Sequence, residues 1–395
     1  MATSGTSEQE FLAVLKSVLG ESAGSQIALH EPNIGNHENE LVSKCLKSGW
    51  VSSVGEYISE FENGLARFTG AQHVIAVVNG TAALHLALYA CGVRPGDEVI
   101  VPTLSFVATA NSVSHCGAIP HFVDSDSETL GLDPEALRKH LSENTSLRDG
   151  GLYNSKTGRK ISAIVPMHTF GHPMKIENLI RVADEFKLTI VEDAAESIGS
   201  YVGKTHTGTF GKCGILSFNG NKTITTGGGG AILTNNEDLA SHVRHLATTA
   251  KLPHDFEYIH DQVAFNYRMP NINAALGCAQ LDRLNEFLLA KRKLAHKYRE
   301  SFAQMQTMSF IDEPHGTTSN YWLNTIRLKS PGLKLRDELL VAARRHGYLC
   351  RPAWKLLHTL PMYEKSPRAN LPVAEKLWQS LINIPSSARH CLEKK

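Results

Sequence analysis

One lysine, Lys222, stands in the stretch SFNGNKTITTGGGGAIL, residues 217–233, between a small polar run and four consecutive glycines that lead back into an apolar segment. Apolar strands on both sides and close backbone approach at Gly227 to Gly230 would hold its amine partly out of water. Desolvation lowers the pKa of an amine and makes it a nucleophile for a carbonyl. A nucleotide-binding loop of the form G-x-x-x-x-G-K-[ST] is excluded, because Asn221 separates Gly220 from Lys222 and the upstream glycine is missing. A carboxylate, Asp193, closes the apolar segment in LTIVEDAAES, and strand ends of this kind line ligand crevices in open α/β sheets. A third stretch, VVNGTAALHLAL, passes from an apolar strand through Asn79 and Gly80 into a helix. Backbone N–H groups of Gly80 and Thr81 would there favour a phosphate dianion. Ser217, five residues before Lys222, offers a hydroxyl, and Phe106 in PTLSFVATAN offers a ring that stacks on a flat cofactor or packs in a core.

An amine for an aldehyde, a carboxylate for a pyridinium nitrogen and a helix end for a phosphate are together what pyridoxal phosphate chemistry requires, since the carboxylate keeps the ring an electron sink. Two further candidates point elsewhere. His168 and His172, four apart, invite a zinc reading, but Gly171 and Pro173 disfavour a regular helical ligand face and no third ligand lies nearby in the sequence. Arg268 suits a diphosphate bidentately, and Trp354 and His358 in RPAWKLLH suit the wall of a sugar pocket; each also has an ordinary structural use.

These residues need a scaffold that brings strand ends together. From about residue 71 the chain alternates strand and helix: HVIAVV, DEVIVP, IPHFVD, ISAIVPM, LTIVEDAA, GILSF and GAILTN are separated by helical stretches starting near Thr81, Ser105, Pro134 and residue 176. The rhythm predicts an α/β layer fold, and strands apolar throughout predict a mostly parallel sheet covered on both faces. Residues 141–160 read as a polar surface excursion. Phe11, Leu12, Val14, Leu15, Val18 and Leu19 predict an N-terminal helix, with Ser7 and Glu10 spaced as a capping box and Gly20 as its stop. After residue 250 the rhythm breaks into an irregular aromatic loop, then a long helical pattern from about Ile272 to Gln304, and a smaller α+β unit with YWLNTIRL and YLCRPAW as strands. At 395 residues, with 40 Lys+Arg against 39 Asp+Glu, no strong field draws the chain to nucleic acid or an anionic membrane. Neither a leader nor a membrane span is evident, and seven scattered cysteines without a C-x-x-C pair read as reduced thiols, so the cytoplasm is the expected compartment.

Taken in order and spacing, GWVSSVGEYISEFE, NGTAALHLAL, PTLSFVATAN, VPMHTFGHP, VEDAAESIGS, SFNGNKTITTGGGGAI and NYRMPNINAALG resemble the DegT/DnrJ/EryC1/StrS family of sugar-nucleotide aminotransferases over nearly the whole chain from about Glu31. The resemblance implies the type I aspartate aminotransferase fold, with an N-terminal helical extension (1–26), a large cofactor-binding domain (27–253) around a seven-stranded sheet, and a small domain (254–395). It implies Lys222 as the Schiff-base lysine, Asp193 as partner of the pyridine nitrogen, and Phe106 as the stacking ring. Gly80, Thr81 and Ser217 would be phosphate ligands, and Glu196 would lie near the ring oxygen. Asn266 would come from the neighbouring subunit of a homodimer; Arg268, Trp354, His358 and His168 would meet the sugar nucleotide. Many relatives carry histidine where this chain has Asn219, and glutamine or histidine in place of Glu196. FNGNK with EDAAES resembles the subgroup that aminates C4 of UDP-linked 4-keto-6-deoxy-N-acetylhexosamines with glutamate as donor. Dehydratases of the family have lost the lysine, so Lys222 favours amino transfer; a non-catalytic pyridoxal phosphate-binding regulator is the remaining alternative.

Overall fold

The computed structural model describes residues 4–22 and 24–392, with side chains from Ser7 onward. Seven strands form the central sheet: β1 (His73–Val77), β2 (Glu98–Pro102), β3 (Ile119–Val123), β4 (Lys160–Ile164), β5 (Thr189–Asp193), β6 (Cys213–Ser217) and β7 (Gly230–Thr234). Their spatial order is β1-β7-β6-β5-β4-β2-β3; β7 runs antiparallel to both neighbours and the remaining pairs are parallel. Because side chains alternate across a strand, each strand feeds two cores. Ile75, Val77, Val99, Val101, Val191 and Ile215 pack with the helices Gly80–Ala90 and Glu237–Ala247 on one face. Val74, Ala76 and Leu216 meet Phe61 and Leu65 on the other, and farther along it Ile100, Ile164 and Ile190 meet Leu137 and Leu179.

The polar stretch read as an excursion is instead a hairpin, Thr145–Arg148 with Gly151–Asn154, which pairs antiparallel with the start of β4 and brings the sheet to nine strands. Glu98 draws it in. That carboxylate is fully buried and accepts from Asn154 Nδ2 at 2.8 Å and Thr157 Oγ1 at 2.5 Å, beside His121 Nδ1 at 2.8 Å.

A second, antiparallel sheet holds Met308–Phe310, Asn324–Leu328, Leu381–Ile384 and Arg351–Pro352 in that order. The pattern over 272–304 divides at Arg283 into two helices, Asn271–Asp282 and Leu284–Phe302. The first packs on Tyr57 and Phe61, the second on the core of the smaller sheet, and Arg283 is held at the break by Glu38 at 3.0 Å and Asn33 at 2.7 Å. The N-terminal helix is described from Ser4 to Leu19, so Ser7 lies inside it, 2 % exposed, rather than capping it. Tertiary burial of Phe11 and Leu15 against Leu294, Tyr298 and Leu339 extends the helix beyond the local cap signal. Gly20, at φ +82°, ends it. No helix among the described residues is long and apolar enough to cross a membrane.

Candidate active site

Two strand ends and one helix start converge on a cavity of about 310 Å³. Asp193 is the last residue of β5 and Ser217 the last of β6. The helix Gly80–Ala90 starts beside them, with Asn79 as N-cap accepting from Ala82 N–H at 2.8 Å. That cap leaves the N–H groups of Gly80 and Thr81 without intrahelical partners, as the first turn of any helix requires. A Cβ on Gly80 would stand 2.8 Å from Ser217 Cβ, and one on Gly230 would stand 2.6 Å from the Asn79 carbonyl carbon. Glycine at these two positions therefore lets β6, β7 and the helix start crowd into one small cradle of N–H and O–H donors. It fits a phosphate.

Asp193 is 5 % exposed, and Thr109 Oγ1 donates to its Oδ2 at 2.8 Å while Ala195 N–H donates to its Oδ1 at 3.2 Å. Burial raises its pKa from the ordinary 3.8; the two hydrogen bonds and the Lys222 charge oppose the rise. A buried carboxylate with this pair of donors fits a cationic ring nitrogen. Thr109 is itself fixed through Ser105 Oγ at 2.7 Å.

Lys222 Nζ sits 3.3 Å from Glu196 Oε1 and 4.0 Å from the centre of the Trp322 ring. Trp322 in turn donates its indole N–H to the Asn221 carbonyl at 2.7 Å, gripping the peptide that precedes the lysine. Glu196 is fully enclosed, and burial pushes its pKa to about 7 against the pull of Lys222 and of Phe170 N–H, which donates to Oε2 at 2.9 Å. An amine held between a carboxylate and an aromatic face at a cavity wall is placed to attack a carbonyl and to carry a proton.

Of the sequence candidates, Gly80, Thr81, Phe106, Asp193, Glu196, Ser217, Lys222 and Trp354 line this one cavity. Phe106 and Trp354 pack against each other at its edge, with ring centres 6.2 Å apart and planes tilted by 59°. His168 lies outside it. Fully buried, it pairs through Nε2 with Glu192 at 3.0 Å and accepts from Met174 N–H on Nδ1 at 3.2 Å, a structural tie that leaves no ring atom for a substrate. Glu192 uses its other bonds on the N–H groups of Gly208, Phe210 and Gly211, which fixes the loop before β6. His172 is buried edge-on against Tyr321. His358 also lies outside, its Nδ1 2.7 Å from Thr103 Oγ1. Asn266 and Arg268 neighbour each other on the surface, Arg268 Nη2 to Asn266 Oδ1 at 3.3 Å, and line no part of their own chain's cavity. Sequence reading missed Thr109 and Trp322. The hydroxyls at Ser105 and Thr109, one helical turn apart, were the available signal for the first; nothing local connects Trp322 to a lysine 100 positions earlier.

The family profile described as DegT/DnrJ/EryC1/StrS aminotransferase matches residues 32–394. A protein named GDP-perosamine synthase from Caulobacter vibrioides is 37% identical over 366 residues, covering 92% of this chain and 94% of its own. Its namesake from Vibrio cholerae is 37% identical over 361 residues, covering 91% and 94%. Among solved structures, a DegT/DnrJ/EryC1/StrS aminotransferase from Brucella abortus superposes with a TM-score of 0.80 at 30% identity, covering 89% of this chain and 91% of that one. The lysine, the buried carboxylate and the phosphate cradle thus stand in a chain that belongs to the DegT/DnrJ/EryC1/StrS family of pyridoxal phosphate-dependent aminotransferases.

Proposed function

We propose that the protein transfers the amino group of glutamate to C4 of a 4-keto-6-deoxy sugar linked to a nucleoside diphosphate. The observation that carries this reading is Lys222 Nζ, placed between Glu196 and Trp322 in the cavity that Asp193 and the phosphate cradle also line. Pyridoxal phosphate, when bound, supplies an aldehyde for the amine and a ring that accepts electrons from the donor's α-carbon. Gly80, Thr81 and Ser217 would hold its phosphate, Asp193 its ring nitrogen, and Phe106 one face of the ring, with Glu196 beside the ring oxygen. Lys222, displaced by glutamate, would take the proton from the donor's α-carbon, and in the second half-reaction would return one to sugar C4. Glutamate leaves as 2-oxoglutarate.

The relatives named GDP-perosamine synthase favour a GDP-linked sugar; the FNGNK and EDAAES forms favour a UDP-linked N-acetylhexosamine. A panel of GDP- and UDP-linked 4-keto-6-deoxy sugars, each offered with glutamate, decides between them by mass spectrometry of the product. One substrate should gain an amine at C4, and Lys222→Ala should lower that turnover by at least about a thousandfold. Elimination of water without amine gain would contradict amino transfer.

The protein would act as a homodimer that places Asn266 and Arg268 in the partner's cavity. Supporting this, both residues lie outside their own cavity, and Trp50, Phe256, Tyr258 and Val263 are 62%, 90%, 79% and 82% exposed. Apolar exposure of that size marks a surface that associates.

A further inference from the structure

Lys222 Nζ is set between two groups that come from different parts of the fold, Glu196 Oε1 at 3.3 Å and the Trp322 ring at 4.0 Å. Glu196 follows β5 of the central sheet, whereas Trp322 leads into the strand Asn324–Leu328 of the smaller one. One side chain touches both segments. Asn320 is fully buried, and its Nδ2 donates to the Glu196 carbonyl at 2.8 Å and to the Ile198 carbonyl at 2.9 Å. Its Oδ1 accepts from Trp322 N–H at 2.8 Å. These partners allow the amide only one way round, because carbonyls accept and a backbone N–H donates. Nδ2 also lies 3.4 Å from Thr223 Oγ1, one residue after Lys222. Asn320 itself lines no part of the cavity.

The backbone is bent to make this span. Tyr321, 1 % exposed, lies at φ +48°, a left-handed conformation that is costly for a bulky residue. It turns the chain so that the N–H of Trp322 falls back on the side chain two residues earlier. Asn320 N–H donates to Ser200 Oγ at 2.9 Å, and Gly171, at φ +96°, leaves the amide its room, since a Cβ there would collide with Oδ1. The Trp322 carbonyl in turn accepts from the buried Lys291 Nζ at 3.2 Å.

We propose that Asn320 is a positioning residue for amino transfer: by spanning Glu196 and Trp322 it fixes the carboxylate and the ring between which the amine of Lys222 is aimed. The inference rests on the functional reading above, under which that amine meets an aldehyde whose phosphate is anchored in the cradle. An anchored aldehyde reacts fast only with an aimed amine, and a misplacement of about 1 Å costs up to about a hundredfold in rate.

The test reads the rate at which the cofactor-free protein forms its visible band on mixing with pyridoxal phosphate, together with the urea midpoint, in Asn320→Ser, Trp322→Leu and the double variant. The shorter hydroxyl side chain cannot span both partners. Asn320→Ser should slow band formation by about tenfold or more, and in the Trp322→Leu background it should add no more than about threefold, the part carried by Glu196. Losses that multiply in full would mean that Asn320 does not act through Trp322, and a lowered urea midpoint with a rate within about twofold of the parent's would leave it a purely structural tie. Either result overturns the proposal. If Asn320→Ser does not fold, Asn320→Asp sets an acceptor against the two carbonyls and opens the same span, so the same cycle and the same outcomes apply. Should the parent form no band, the reading of Lys222 fails instead. Labelling of the Lys222 amine by trinitrobenzenesulfonate, followed by mass spectrometry, then decides for Asn320: it should be at least about threefold faster in the variant, whose clamp on the amine is loosened, and an unchanged rate overturns the positioning role.

Discussion

Glu196 is the residue whose ionisation the fold distorts most usefully. Its folded pKa of about 7 exceeds the ordinary 4.5, so between those values the folded chain keeps a proton that the unfolded chain has released. Stability of the cofactor-free protein should therefore fall as pH rises through that window, and the loss should persist above it. Glu196→Gln, neutral at every pH, should remove this component. The urea midpoint of the parent should drop more between about pH 5 and about pH 8 than that of the variant, and equal drops would contradict the assignment. The acids and the lysine of this site were legible because they sit in short motifs next to strand ends. Their supports were not: Thr109 reaches Asp193 and Trp322 reaches Lys222 only after distant segments fold together. His168 and His358 lie outside the cavity for the same reason, since a histidine next to a motif looks identical in sequence whether it meets a ligand, a buried glutamate as His168 does, or a threonine hydroxyl as His358 does.

At the scale of elements, alternation of apolar strands and helices was enough to anticipate all seven central strands, because burial on both faces leaves an unbroken apolar signature. Elements with mixed burial were harder. The hairpin at 145–154 is polar along its exposed face and is held by the side chains around Glu98, and the break at Arg283 carries no glycine or proline to announce it. The N-terminal helix shows what tertiary packing adds. Phe11 and Leu15 are fully buried against the long helix Leu284–Phe302. Phe11→Ala should cost about 3–5 kcal/mol of stability by emptying that contact, measured as a fall in unfolding free energy. A cost near zero would mean that the helix is not docked as described.

At the scale of the whole molecule, the cavity gathers groups from the carboxyl ends of β5 and β6, from a helix start, and from Trp322 and Trp354 beside the smaller sheet. Subunit pairing would complete it with Asn266 and Arg268. Mixed dimers of Lys222→Ala and Arg268→Ala chains test this, since each parent variant should be inactive while a hybrid would hold one intact site. Random mixing should restore about a quarter of the original activity; no restoration would place Arg268 at its own chain's site or outside the chemistry.

The central claim is that Lys222 holds an aldehyde cofactor and releases it to glutamate. The absorption spectrum of the purified protein with pyridoxal phosphate, before and after glutamate alone, tests it most directly. A visible band should form that depends on Lys222 and is lost on adding glutamate, and Lys222→Ala should form no such band. A band that glutamate leaves unchanged, or that Lys222→Ala retains, would contradict it.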